Sequence, residues 1–304
     1  MAVYVVGDFL RETRIRKGYT QEEVSYGICT TASLSRIENG AQKPGRLILE
    51  KLFERLGTEN NLFNSFVSRE EMELYSAIQE LVRNITDDDV VKIEKQIDVV
   101  EKLAVNTTEL EHQCLYFAKG ELARQKEKDD KKAMEMYMKA IHITLPDFDG
   151  KNPLRNNLLT FDEIMIINAI AILHAKADDI MTAVQLGMWL KKYMEEKIVD
   201  GTMKIAKYPM ILYNLSNWLG RENCHKEALK MADLGIRFCI RYGNLAFFPI
   251  LVFNKGGALA ELGKIDQAKK YLHQSVTIFE AMDRPDLIQV ATDWCKLHYR
   301  IDIQ

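Results

Sequence analysis

Residues 19–40 read YTQEEVSYGICTTASLSRIENG, and this stretch decides the fold of the N-terminal region. Thr20 is a good helix N-cap, because its hydroxyl can accept a hydrogen bond from a free backbone N–H, and Glu23 completes a capping box. Gly27 can take the positive φ that a tight turn needs. A second short helix follows, and Gly40 is suited to its C-terminus. The stretch therefore predicts a helix-turn-helix.

The second helix of such a motif can enter the major groove of DNA. Thr30 or Thr31 is expected to cap this helix, and Leu34 and Ile37 lie on its apolar face. Arg36 has the best chemistry on the opposite face for contacting guanine or phosphate. The side chains that we predict to face DNA are those of Thr30, Thr31, Ala32, Ser33, Ser35 and Arg36. Because most of them are small, DNA shape would carry much of the specificity.

Residues 7–57 resemble the DNA-binding domain shared by lambda-type phage repressors and Xre-like regulators. The matching segments are GDFLRETRIRKGYTQEEV, TASLSRIENG and KPGRLILEKLFERLG. The resemblance implies that Gln21 contacts the DNA backbone and that Lys43 lies near it. It also implies a structural ion pair between Arg14 and Glu38, in which the planar guanidinium can hold the carboxylate bidentately.

Length and composition bound the remaining possibilities. The chain has 304 residues, enough for two domains and a large core. No run of eighteen apolar residues is present, and residues 1–6 lack the length and basic start of a secretory signal peptide. The cysteines show no CxxC spacing, which favours reduced, mostly buried thiols over zinc or disulfides. We therefore expect a cytoplasmic protein.

Charge is unevenly distributed along the chain. The whole sequence has a formal net charge of −3, but residues 1–57 contain nine Lys or Arg against seven Asp or Glu. The basic excess therefore lies in the segment that carries the helix-turn-helix. Since this excess is small, tight DNA binding is expected to need two copies of the domain.

The sequence divides into residues 1–66, the predicted DNA-binding domain, and residues 67–304, which are helical throughout and weakly repetitive. NLSNWLGRENCHKEALKM from Asn214 aligns without a gap with NKGGALAELGKIDQAKKY from Asn254. A small residue early in each second helix lets its partner approach closely; Ala133, Ala183, Ala228 and Ala268 hold this place. We predict degenerate tetratricopeptide-like repeats stacked into a right-handed α-solenoid, and an all-α protein.

A helix-turn-helix domain followed by such repeats resembles the RRNPP family of peptide-responsive regulators, particularly its Rgg- and PlcR-like branches. The resemblance covers nearly the whole chain. It implies a quorum-sensing-type receptor that binds a short signalling peptide on the concave repeat surface. It also implies a homodimer that regulates transcription from a palindromic DNA operator.

Asparagines in the repeats are the candidate residues for binding the peptide. Asn214 and Asn254 hold identical places in successive repeats, and Asn168 lies within one residue of the same place. An asparagine amide carries a donor and an acceptor, so it can pair with the N–H and C=O of a peptide together. Further candidates for lining the pocket are Tyr208, Tyr213, Phe247 and Lys255.

No enzyme signature is present. The six histidines show neither i,i+4 pairing nor metal-ligand clustering, and no Gly-rich phosphate loop or GxSxG motif occurs. We therefore expect no catalytic residues, metal or cofactor. Two alternatives to a peptide receptor stay open. One is a regulator whose repeats bind a protein partner, for which a wide, flat, apolar concave face is expected. The other is a repeat-containing anti-activator or phosphatase relative.

Overall fold

The computed structural model describes residues 6–58, 69–86, 89–104, 109–154, 158–197, 199 and 201–299. Every regular element in these ranges is a helix, so the all-α prediction is confirmed. The chain forms two compact units, Met1–Leu173 with Ile198–Asp200, and His174–Lys197 with Gly201–Gln304.

The first unit contains a helix-turn-helix domain and the early repeat helices. Its helices are α1 Val6–Arg16, α2 Gln21–Ser25, α3 Thr31–Glu38, α4 Arg46–Arg55, α5 Arg69–Thr86, α6 Val90–Leu103, α7 Glu109–Leu122, α8 Asp130–Thr144 and α9 Phe161–Lys176, whose last turn belongs to the second unit. A π-helical turn, Ala123–Glu127, follows α7.

The second unit contains the later repeat helices. They are α10 Ile180–Glu196, α11 Gly201–Arg221, α12 His225–Tyr242, α13 Phe248–Glu261, α14 Ile265–Ala281 and α15 Pro285–Trp294. A π-helical turn, Cys295–Tyr299, follows α15.

The predicted caps of the helix-turn-helix are present. Thr20 accepts a hydrogen bond from the backbone of Glu23 at 3.1 Å, and the Glu23 carboxylate accepts one at 2.7 Å from the Thr20 N–H. Thr30, rather than Thr31, caps α3. Gly27 has a φ of +68°, as its turn requires. The local signals of the sequence therefore set both helix starts and the turn between them.

A buried ion pair joins α4 to the start of α9. Nη2 of Arg55 lies 2.7 Å from Oε1 of Glu163, and both side chains are completely buried. Nη1 of Arg55 donates to the carbonyl of Tyr26, in the turn after α2. The other carboxylate oxygen of Glu163 accepts from the backbone N–H of Thr160 at 2.5 Å. The helix-turn-helix is thus held on α9 by paired, hydrogen-bonded charges.

The contact is extended at the end of α8. A Cβ on Gly27 would lie 2.0 Å from the carbonyl oxygen of Thr144, so only glycine permits this approach. The hydroxyl of Tyr26 donates to Asp147 at 2.5 Å. Leu110 and Leu158 belong to the same buried apolar cluster as the helix-turn-helix core. The domain therefore packs on the following helices through apolar, polar and backbone contacts together.

The repeats are built from helix pairs with a common turn. In the turn between the two helices, the residue two positions before the start of the second helix has a positive φ. These residues are Lys128, Asp178, Asn223 and Gly263, and Asp283 has the same place before α15. The four alanines predicted to allow close helix approach, Ala133, Ala183, Ala228 and Ala268, are all buried. Burial of these alanines agrees with the packing role predicted for them, and close approach of the paired helices stays a prediction.

We expect Arg55→Ala to lower the free energy of unfolding by about 3–5 kcal/mol, because it leaves the Glu163 carboxylate buried without its partner. Urea denaturation followed by circular dichroism measures this loss. Arg16→Ala removes an exposed arginine from α1 and should change stability by no more than about 0.5 kcal/mol. A loss below about 1 kcal/mol for Arg55→Ala would contradict a Glu163 carboxylate that is buried and left without a partner.

The turn before α14 gives a second prediction. Gly263 has a φ of +74°, and no atom lies within 4 Å of the place that an added Cβ would take, so Gly263→Ala should destabilise the chain by about 1 kcal/mol through backbone strain alone. Gly220 also has open space but lies within α11, so Gly220→Ala should be neutral or stabilising by up to about 1 kcal/mol. Thermal unfolding of the two variants compares them, and equal shifts would contradict the turn geometry.

Candidate functional site

One face of α3 presents short polar side chains and a single cation. Thr31 and Ala32 are exposed, and Ser33 is half-buried. The exposed guanidinium of Arg36 donates to Oγ of Ser33 at 3.2 Å and to Oε1 of Gln42 at 3.0 Å. The first contact holds Arg36 beside the N-terminal turn of its own helix. This face therefore combines a positioned cation with hydroxyl groups that can donate or accept hydrogen bonds.

The orientation of α3 is set by a buried carboxylate. Glu38 accepts from Nε and Nη2 of Arg14 at 2.7 and 2.8 Å, a bidentate pair that links α1 to α3. Nε2 of Gln21 donates to the same carboxylate at 2.7 Å. Burial alone would raise the pKa of Glu38, but the hydrogen bonds from Arg14 and Gln21 hold it below its ordinary value. The side-chain amide of Gln21 thus supports α3 from within the domain.

The other predicted DNA-facing residues surround this face. Thr30 accepts from the backbone N–H of Ser33 at 3.0 Å and is itself exposed. Ser35 is half-buried, and Lys43 is exposed in the segment after α3. Contact of any of these residues with DNA stays a prediction.

A second charged cluster lies beside the Arg55–Glu163 pair. Nζ of Lys51 is 2.9 Å from Asp162 and 3.1 Å from Glu54, and the backbone N–H of Phe161 donates to Glu54 at 3.0 Å. Burial would lower the pKa of Lys51, but the Asp162 and Glu54 carboxylates raise it well above its ordinary value. Burial, with help from Asp162, raises the pKa of Glu54 to about 7 against the opposing effect of Lys51.

The sequence shows the two cations of this cluster but not the carboxylates that pair with them. Lys51 and Arg55 are four residues apart on α4, on a helix whose neighbouring Leu52 and Phe53 are buried. Two cations on the buried side of a helix require carboxylates from another element. Glu163, the partner of Arg55, lies 108 residues further along the chain, so sequence spacing could not identify it.

Glu54 gives a pH-dependent prediction. Its folded pKa of about 7 is above its ordinary value of 4.5, so its contribution to stability is fully present below pH 4.5 and is lost as the pH rises through about 7. Between pH 5 and pH 8, the free energy of unfolding of the natural chain should therefore fall by about 1–3 kcal/mol more than that of Glu54→Gln. Urea denaturation at both pH values measures the difference. Glu22→Gln, at an exposed position of α2, should keep the natural slope. Equal slopes for the natural chain and Glu54→Gln would contradict the assignment.

The second unit contains a cavity of about 570 Å³ between α11, α13 and α15. This volume is in the range of sites for small ligands. Five aromatic residues take part in its lining: Tyr213, Phe253, Phe279, Trp294 and Tyr299. The polar residues of the lining include Ser216, Asn217, Arg221, His225, Asn254, Glu261 and His298. The cavity can therefore bury an apolar group and bond to a few polar atoms beside it.

Two of the residues predicted to bind the peptide line this cavity, Tyr213 and Asn254. Asn214 is only 7% exposed and is absent from the lining. Asn168 belongs to the first unit and is 4% exposed. Lys255 points to other elements: its Nζ lies 2.7 Å from Asp233 and 4.1 Å from the centre of the Tyr271 ring. Of the five, only Asn254 and Tyr213 are brought together by the described structure.

The two additional aromatic candidates have different surroundings. Tyr208 is buried, donates to Glu195 through its hydroxyl, and packs edge-on against Phe238 at 5.1 Å. Burial and this hydrogen bond raise its pKa. Phe247 lies 6.2 Å from the ring of Tyr213, just before α13. Tyr208 therefore belongs to the core, and Phe247 supports a residue of the cavity.

Sequence reasoning missed the contribution of the last helix. Trp294 and His298 lie one turn apart, and their rings stack with centroids 4.0 Å apart. Both line the cavity, as does Tyr299. The spacing of Trp294 and His298 was a visible signal, but these residues lie beyond the aligned repeats.

Membrane spans, metal sites and reactive thiols are the other classes of feature that bear on function. None of the helices seen there is long and apolar enough to cross a membrane. No three His, Cys, Asp or Glu side chains come together to hold a metal ion in the part of the chain that the structure describes. Three cysteines are buried thiols, Cys114, Cys239 and Cys295; Cys29 is half-buried and Cys224 exposed.

Comparison with known proteins gives matches at two levels. A family model described as a helix-turn-helix domain matches residues 5–66. YqaF of Bacillus subtilis (strain 168), an uncharacterised helix-turn-helix-type transcriptional regulator, is 36% identical over 63 residues, which are 20% of this chain and 83% of YqaF.

Solved structures match nearly the whole length. PlcR of Bacillus thuringiensis in complex with the peptide PapR7 and DNA has a TM-score of 0.60 at 18% identity, covering 94% of this chain and 98% of that one. Apo PlcR has a TM-score of 0.58 at 16% identity, with 95% and 98% covered. The apo form of the competence regulator ComR of Streptococcus vestibularis has a TM-score of 0.51 at 14% identity, with 96% and 97% covered. These likenesses confirm the fold that the resemblance to PlcR-like regulators implied.

Proposed function

The chain belongs to the helix-turn-helix family of transcriptional regulators, and we propose that it is a quorum-sensing-type regulator that binds DNA as a homodimer under the control of a short signalling peptide. In this proposal residues 1–66 bind DNA, and residues 67–304 bind the peptide and form the dimer. The protein acts in the cytoplasm, where both its operator and an imported peptide are found.

The DNA-binding part of the proposal is supported by α3. Its exposed face carries the exposed guanidinium of Arg36, held by Ser33 and Gln42, and the small residues Thr31, Ala32 and Ser33. Arg36 contacts guanine or phosphate, and the small side chains allow the helix to lie deep in the major groove. Gln21, Thr30, Ser35 and Lys43 supply further contacts around this helix.

The single observation that carries the peptide-binding part is the 570 Å³ cavity, which contains Asn254 and Tyr213. A concave cavity lined by aromatic, aliphatic and polar residues fits a peptide segment better than it fits the flat surface of a protein partner. PlcR, whose fold this chain shares, has been crystallised with a peptide and DNA. The peptide would be read by Asn254 and Tyr213, and contacts of the peptide with Asn168, Asn214 and Lys255 stay predictions.

Control of DNA binding requires that the peptide bind two arrangements of the dimer with different affinity. Two helix-turn-helix domains on one dimer would meet the two halves of a palindromic operator. Any change in their spacing or freedom then changes DNA affinity. The contacts of α4 with the start of α9 give the helix-turn-helix a defined position on the repeat helices of its own unit.

Fluorescence anisotropy with the purified full chain and its own upstream DNA tests this function. We expect salt-dependent binding, which Arg36→Ala weakens about tenfold or more through loss of one base or phosphate contact. Lys230→Ala removes an exposed cation from α12 and should leave the affinity unchanged. A pool of short linear peptides from neighbouring reading frames should contain one that shifts DNA affinity by about fivefold or more.

The outcomes separate the alternatives. Specific DNA binding that no peptide alters would move the proposal to a regulator whose repeats bind a protein partner. An absence of specific DNA binding in every condition would contradict the regulator and favour an anti-activator relative.

A further inference from the structure

Small residues take part in the lining of the cavity between α11, α13 and α15. Gly257, Ala258 and Ala291 belong to the lining, as does Phe279, which is 3% exposed. A Cβ on Gly257 would already lie 2.8 Å from the hydroxyl of Tyr299. The glycine therefore lets the Tyr299 hydroxyl approach α13 closely, and the cavity of about 570 Å³ has room for a large side chain.

The rim of the cavity carries apolar surface that lacks a cover in the described chain. Val290 and Trp294 lie one turn apart on α15 and are 65% and 47% exposed. Tyr213 and Phe253 belong to the facing helices α11 and α13. Exposed apolar groups beside a cavity are characteristic of ligand sites, because a bound apolar group covers the rim and floor together.

The central polar group of the cavity is a hydrogen-bond acceptor. The side-chain nitrogen of Asn254 donates to the carbonyl of Tyr213 at 3.3 Å and to Oγ of Ser216 at 2.6 Å. Ser216 in turn donates to the same carbonyl at 2.8 Å. Since a carbonyl can only accept, these contacts fix the amide orientation and occupy both N–H groups of Asn254. Its Oδ1 is left to receive a donor from a ligand.

A second acceptor lies on the same face of α13. Glu261 follows Asn254 by two helical turns, lines the cavity and is 45% exposed; His225 lies 4.0 Å from its carboxylate. A ligand carboxylate placed here would meet a like charge, whereas a backbone or indole N–H would find an acceptor. Arg221, at the rim, is held by the carbonyl of Ala175 at 2.9 Å and by Asp178 at 3.4 Å.

From these contacts we infer that the cavity selects its peptide by one large apolar side chain, with preference for an aromatic one, and accepts the neighbouring N–H group on Oδ1 of Asn254. An acidic side chain gains nothing from the apolar part of this lining. The inference rests on the proposed function, because it names the chemistry by which the peptide site of that function would recognise its ligand.

The test uses seven-residue synthetic peptides Ser-Gly-Ser-Xaa-Ser-Gly-Ser, acetylated and amidated at their ends, with Xaa as Trp, Phe, Leu, Ala or Asp. Binding to the full-length protein is measured by saturation-transfer NMR with titration. Peptides with Trp or Phe should bind about tenfold or more tightly than the Ala peptide, since a large buried apolar side chain is favoured by at least that factor. The Asp peptide should bind no better than the Ala peptide.

Three variants locate the selection. Trp294→Ala removes one wall at a half-exposed position and should abolish the preference for Trp and Phe. Val290→Trp should fill the entrance and weaken the binding of all large Xaa peptides. Leu297→Ala is the matched control: it lies on the following turn, is 77% exposed and does not line the cavity, so it should keep the natural preference. Circular dichroism verifies that the three variants are folded.

Equal binding of all five peptides, or an unchanged preference in Trp294→Ala, would overturn the inference. So would a change of oligomeric state in Trp294→Ala, seen by sedimentation, with unchanged peptide binding, because a second copy would then cover this face. These experiments distinguish failure of the inference from failure of the proposed function. A genomic peptide that shifts DNA affinity while the Xaa series shows no preference defeats only the inference. A clear aromatic preference, with no peptide that alters DNA binding, defeats only the function.

Discussion

The buried ion pair between Arg55 and Glu163 is the interaction on which the position of the helix-turn-helix depends. It joins the end of α4 to the start of α9, and each partner makes a second bond, to the Tyr26 carbonyl and to the Thr160 N–H. A buried ion pair contributes little net stability compared with apolar packing, but any arrangement that separates the two partners leaves each charge buried without compensation. The pair therefore specifies where the domain rests more than how stable the chain is.

The neighbouring cluster of Lys51, Glu54 and Asp162 extends this arrangement along α4. Gly27 adds a contact that no other residue permits, because its missing side chain lets the turn reach the Thr144 carbonyl. Contacts of three kinds thus meet on one side of the domain. The α3 face with Arg36 takes no part in these contacts. The helix-turn-helix can therefore be held in place without covering the residues predicted to face DNA.

The parts of the fold that the sequence predicted are those with local causes. Thr20, Glu23, Gly27 and Gly40 act within a few residues, so capping and turn chemistry identify the helix-turn-helix directly. The alanines of the repeats were visible because a fixed spacing repeats them. The turn residues with positive φ were missed, since Lys128, Asp178 and Asn223 share a backbone conformation rather than a residue type.

The candidate sites were less predictable because they depend on direction and on distant partners. Asn214 and Asn254 occupy equivalent places in the alignment, yet only Asn254 lines the cavity, and its amide nitrogen is already bonded. Lys255 is adjacent in sequence but points to Asp233 on α12. Helical periodicity places a residue on a face; it does not show which groups its neighbours leave unoccupied.

The central claim is that one peptide and one DNA site are coupled through this chain. Coupling of binding free energies is reciprocal, so the factor by which peptide changes DNA affinity must equal the factor by which DNA changes peptide affinity. The most direct measurement is the peptide Kd of the full chain with and without saturating operator DNA, by isothermal titration calorimetry. The account predicts a change of about fivefold or more, equal to the change in DNA affinity. An identical peptide Kd in both conditions would contradict it.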